Sequence, residues 1–228
     1  MKDNALLQTI AGAVITTGLT LLGTAVLQKY QNDASERARF LDGAQATAQA
    51  TAKLLILGYN ALEQLRDDTY KKGFEFYIKD SGQKYEEFYR DWRQQMIQNQ
   101  FSVSRYFGGE LASDLIHVDE IDKMPVNNLS SPNPCTPPGK PDSYDINKMA
   151  VQVDCLIRFS ALMQDRIKSD EPSDQEAFID NIRKKSAMDE NIRKMIDGYE
   201  VSYVKVLRSM DDKFTQLGAS KVTVIPRK

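Results

Sequence analysis

The sequence predicts an all-α protein, laid out as a single N-terminal transmembrane helix followed by an antiparallel helical bundle with long amphipathic helices. Three observations carry this. No charged residue stands between Asp3 and Lys29. Several later stretches repeat apolar residues three and four apart, the spacing of one helical face. Six of the eight prolines crowd between Met124 and Asp142, so the long stretches on either side are free to be helical.

The predicted anchor occupies residues 1–30. Its apolar stretch, Ala5 to Leu27, has 23 residues, enough for a helix to cross a hydrocarbon core of ~30 Å. Lys29 and Tyr30 follow, where interfacial anchors belong. A cleaved signal peptide is the competing reading, because Gly23-Thr24-Ala25 fits a small-residue cleavage site. The Met-Lys-Asp-Asn start carries one Lys and an Asp, and the apolar stretch is long, so retention is favoured. Ten of the 23 residues are Leu, Ile or Val and twelve are Gly, Ala or Thr. Gln8, Gly12, Thr16, Thr20 and Thr24 recur every four residues and form a small, polar stripe. Such stripes let helices approach closely in lipid, which predicts a homo-oligomer or pairing with another membrane protein. Lys29, Arg37 and Arg39 after the span, against Lys2 before it, favour a cytoplasmic bundle, with a periplasmic or extracellular one as the alternative.

Residues 31–67 are expected to form a stalk and first bundle helix. Leu41, Ala44, Ala48, Thr51, Leu55, Gly58, Leu62 and Leu65 alternate three and four apart, as one seam. Asp68-Thr69 reads as the cap of a second helix, opening an aromatic-rich region over 68–123. Eleven of the 20 aromatic residues lie between Tyr70 and Phe107. Tyr70, Phe74 and Tyr77 share a predicted face, Asp80-Ser81-Gly82 reads as a turn or kink, and Gly108-Gly109 as a break. Tyr85, Phe88 and Trp92 continue the helical spacing. Core packing is the first expectation for them, and a partner or ligand groove the sharper alternative.

A Pro-rich loop is predicted over 124–142 and a C-terminal helical pair over 143–218, with a tail at 219–228. Ser143 reads as the first cap of the pair. Its first helix carries the seam Ile146, Met149, Val153, Leu156, Ser160, Met163 and Ile167. Ser173 and Glu176 form a capping box, and Ile192, Ile196, Tyr199, Tyr203, Val206, Met210, Phe214 and Leu217 share the face of the last helix, with Gly218 as its C-terminal cap.

Composition excludes several classes. A net charge of −2 with both signs interspersed offers no basic stripe for nucleic acid. Two cysteines and one histidine cannot make a structural zinc site within one chain. Asp114 and His117 sit three apart as in bundle metal sites, but a di-metal centre needs two such pairs. Gly108-Gly109-Glu110 lacks the second acid of a glycine-glycine-acid catalytic signature, and no phosphate loop or nucleophile elbow is present. No catalytic set, cofactor or metal is therefore expected. Free thiols are the default state of Cys135 and Cys155, and an oxidising compartment would allow a disulfide between them. These observations lead to a non-enzymatic, membrane-anchored scaffold, adaptor or sensor working through protein contacts. The alternatives are a membrane-disrupting or channel-forming effector that oligomerises through its Thr/Gly-rich span, and an outer-face ligand-sensing bundle.

Overall fold

The computed structural model describes residues 3–117, 135, 145–169 and 175–217, with side chains described from Gln31 onward except at Ser169 and Ala177. The side chains of the predicted association stripe Gln8, Gly12, Thr16, Thr20 and Thr24, together with the Pro-rich loop apart from Cys135, Ser143, Ser173, Gly218 and the tail, lie outside the residues so described. All regular structure among the described residues is helical: α1 (Asp3–Lys72), α2 (Phe74–Phe76), a π-helical turn (Tyr77–Ser81), α3 (Gly82–Phe107), α4 (Gly109–Leu115), α5 (Ile146–Ser169) and α6 (Gln175–Gln216).

Two compact units divide the chain, Met1–Gly43 and Ala44–Lys228. In the first, the backbone is helical from Asp3, and the side chains of Gln31 to Phe40 are all exposed. Among the described residues no helix is long and apolar enough to cross a membrane. The predicted span Ala5 to Leu27 falls where only the helical backbone is described.

The second unit is a helical bundle. Side-chain pairs fix its directions. Thr51 and Leu54 of α1 meet Asn99 and Trp92 of α3, later α3 residues meeting earlier α1 residues, so the two run antiparallel. Leu55 meets Tyr199 of α6 and Tyr70 meets Asp189, again antiparallel. Tyr77 and Tyr89 meet Asp154 and Asn147 of α5 in the same opposed order. The chain therefore runs up, down, up and down through α1, α3, α5 and α6. Each amphipathic stripe is buried against two neighbours, the simplest way to remove four such stripes from water.

The α1 seam is buried from Ala44 through Thr51, Leu55, Gly58, Leu62 and Leu65, with Thr47 and Leu54 beside it. Gly58 marks the tightest place. A Cβ there would stand 2.9 Å from the Trp92 ring and collide with the Tyr199 hydroxyl. Without it, Trp92 Nε1 donates to the Leu54 carbonyl at 2.8 Å and Tyr199 Oη to the Leu55 carbonyl at 3.2 Å. Two consecutive α1 carbonyls thus take a second donor each, one from α3 and one from α6.

Two helix boundaries differ from the sequence expectation. Asp68-Thr69 does not open a helix. α1 continues to Lys72, Thr69 is buried on its seam with its hydroxyl 3.4 Å from that of Ser81, and the break comes at Gly73, which takes φ +86°. The face shared by Tyr70, Phe74 and Tyr77 is consequently split: Tyr70 is exposed, whereas Phe74 stacks on Tyr77 with ring centres 6.5 Å apart. At the next junction Asp145 caps α5, its Oδ1 accepting from the Lys148 N–H at 2.7 Å, the role expected of Ser143. Gly108, at φ +100°, separates α3 from α4 as expected of a glycine pair.

Candidate functional site

The sequence-nominated aromatics are mostly interior. Tyr85 and Trp92 are buried and Phe88 half-buried between them, its ring tilted against Tyr85 at 6.1 Å and stacked on Trp92 at 6.5 Å. The groove that opens between α1 and α3 is lined by Lys53, Leu57, Gln95, Gln98 and Ser102, and by none of the three.

Cys135 and Cys155 are joined in a disulfide, correcting the default of free thiols. Their Cα atoms lie 5.5 Å apart, an ordinary span for the bond. Both are buried, so the bridge fastens one point of the Pro-rich segment onto the inner part of α5. Spacing alone could not reveal this, because the 20-residue separation joins a loop to a helix whose docking the sequence does not state.

His117 does not pair with Asp114. α4 ends at Leu115 and Ile116 is extended, which carries His117 off the helical face the two were expected to share. Its backbone N–H and ring Nδ1 both meet Asp145 Oδ2, at 2.9 and 3.1 Å. The Asp145 carboxylate, almost wholly buried, thereby ties the end of α4 to the start of α5. Among the described residues no group of three metal-binding side chains converges.

A second carboxylate lies next to the disulfide. Asp154 is partly buried and accepts a hydrogen bond from Tyr77 Oη at 3.0 Å. Desolvation pushes its carboxyl up to about 6, helped by the charge of Glu86 and opposed by the Tyr77 bond and Arg158. Burial raises the phenols of Tyr77, Tyr85 and Tyr89 as well, so all three stay protonated donors. Tyr89 spends its proton on Asn147, at 2.8 Å. The chain places Tyr77 by three local devices. Gly73 breaks α1, the π-helical turn inserts one extra residue before α3, and Gly82 leaves room for the Tyr77 carbonyl and ring, which an added Cβ would meet at 2.7 and 3.0 Å. Sequence reasoning did not single out Asp154. Its signal was there: between Met149 and Met163 the only charges are Asp154 and Arg158, one turn apart inside a mostly apolar run.

A third polar knot closes the opposite helix pair. Ser160 and Lys185 both reach Asp189, and the Lys185 ammonium sits 4.6 Å over the Tyr70 ring. Arg66, Asp67, Lys71 and Arg193 line the open cleft beside it.

No family model, no curated protein and no solved structure matches this chain. What the arrangement can do chemically is limited by how its polar groups are used. Asp145 is occupied with a helix cap and His117, Asn99 with Thr51 at 2.7 Å, and Ser113 with carbonyls of its own helix. These are fastening roles.

Proposed function

We propose that this protein is a membrane-tethered helical bundle on the oxidising side of a membrane, acting without catalysis as a scaffold or sensor through protein contacts. The uncharged stretch before Lys29 is the tether, and the Gln8, Gly12, Thr16, Thr20, Thr24 stripe is its contact with a second copy or another membrane protein. The observation that carries the placement is the Cys135–Cys155 bridge. Disulfides persist in oxidising compartments and are rare where thiols are kept reduced, so the bundle belongs outside the cytoplasm. This reverses the preference drawn from Lys29, Arg37 and Arg39, which is a statistical excess of a few charges against a covalent bond. The non-catalytic part of the reading is supported by the structural use of the candidate acids, bases and hydroxyls.

Crosslinking of the full chain in its own membrane tests the contact role. The expected result is a discrete species larger than the monomer, depleted when Thr16→Leu and Thr20→Leu are combined. Monomers alone would contradict it.

A further inference from the structure

Tyr70, two residues before the end of α1, meets Asp189 and Lys185 of α6. Ser160 of α5 meets Asp189 as well, so the turns of α6 ahead of Lys185 run on past Tyr70 beside the last turns of α5. There α6 holds Phe178, Asn181 and Met188 half-buried, with Ile192 buried beyond them. To one side of this inner face lies a second, made by Gln175, Ile179, Ile182 and Ser186, three and four apart. All four are exposed, Ile179 by 44% and Ile182 by 43%. Glu176 and Arg183 flank the face and are exposed too. An open hollow here is lined by Gln175, Glu176, Ile179, Asp180 and Arg183.

The neighbouring charges pair along the helix: Asp180 with Lys184, Lys185 with Asp189, and Glu190 with Lys194. Among the described residues Glu176 and Arg183 have no such partner. Two exposed isoleucines thus stand between an acid and a base, each left over from the pairing around it.

We propose that this face of α6 packs antiparallel against the same face of a second copy of the chain. The order of its residues is self-complementary. A two-fold axis level with Asp180 and Asn181 sets Ile179 against the partner's Ile182 and Gln175 against the partner's Ser186, each twice. The same axis brings Glu176 beside the partner's Arg183, again twice, as flanking charges do across paired helices. Parallel packing would set Glu176 level with Glu176 and Arg183 level with Arg183, which like charges disfavour. The contact spans about three helical turns per copy, small for a specific interface. The tether proposed above offsets this by holding copies in one membrane at high effective concentration. The proposal deepens the protein-contact reading by naming a surface and its partner, and rests on that reading for the membrane that brings the copies together.

Sedimentation of the full chain in detergent micelles tests this, with Thr16→Leu and Thr20→Leu removing the contact assigned to the tether. A monomer–dimer equilibrium is expected over a concentration series into the high micromolar range. Arg183→Glu and Glu176→Arg should each raise the dimer dissociation constant by on the order of tenfold, since two opposite-charge contacts become two like-charge ones. The double variant Glu176→Arg, Arg183→Glu should return to within a few-fold of the parent, because both pairs re-form with their ends exchanged. Ile179→Ser combined with Ile182→Ser should leave only monomer. Every one of these positions faces water, so circular dichroism should show the helices unchanged. Glu176 also stands in the first turn of α6, where its charge favours the helix end. That role by itself predicts no effect of Arg183→Glu on dimers and no recovery in the double variant. A parent that stays monomeric throughout, as it would if a different protein covered this face, overturns the proposal. Single reversals without effect overturn it, as does a double variant no better than its singles. None of these results touches the crosslinking test of the tether, which reads Thr16 and Thr20.

Discussion

Gly58 governs how closely three helices approach. The Leu54 and Leu55 carbonyls receive Trp92 and Tyr199 because no Cβ stands in front of them. Gly58→Ala improves helix propensity yet forces two buried aromatic rings outward. It should cost about 1–3 kcal/mol, the usual range for overpacking a close-packed site, seen as a lower urea midpoint. Asp154 gives a prediction of opposite sign. A carboxyl whose folded value lies above its unfolded one stabilises the fold fully below the unfolded value and loses that contribution as pH rises through the folded one. Asp154→Asn should therefore raise stability at pH 8 by about 2–3 kcal/mol, with the gain shrinking between pH 7 and 4 and absent below about pH 4. Unfolding curves of both proteins across that range check it. Gly58 stood on the seam legible in the sequence, although its role as a slot for two hydroxyl- and indole-bearing rings required the fold. Asp154 was legible as a charge inside an apolar run, but its partner was not, because Tyr77 reaches it only through a break and a π-helical insertion.

At the scale of elements, helices with strict three and four spacing were the most readable. The α1 seam from Ala44 to Leu65 and the α6 face from Ile192 to Met210 are buried largely as their spacing implies. Boundaries were harder, since polar residues that resemble caps were used otherwise. Thr69 turns its hydroxyl sideways to Ser81, and Asp145, two residues past Ser143, caps α5 while also binding His117. The backbone breaks are glycine-specific. Gly108 sits at φ 100°, ψ 158°, a region that other residues reach only under strain. Gly108→Ala should cost about 1–3 kcal/mol and weaken the docking of α4, measurable as faster hydrogen exchange at Leu111 to Leu115. The disulfide is the other element-level constraint. Cys155→Ser should lower stability by about 2–4 kcal/mol, lost equally on reduction of the parent and not further lost on reduction of the variant.

The whole molecule combines a bundle whose interior is closed by polar knots with an N-terminal stretch whose side chains the sequence alone describes. The helical class of the described residues was legible because helices announce themselves in periodicity and proline placement, whereas the transmembrane part of the expectation finds no support among those residues. The side of the membrane on which we propose the bundle was not legible, because a few basic residues speak weakly and a disulfide between a loop and a helix leaves no spacing signature. The two readings give opposite answers to one measurement. In right-side-out membrane vesicles bearing the full chain, protease added from outside should degrade the bundle and remove a C-terminal epitope without detergent. A C-terminus that stays intact until the membrane is opened would contradict the account.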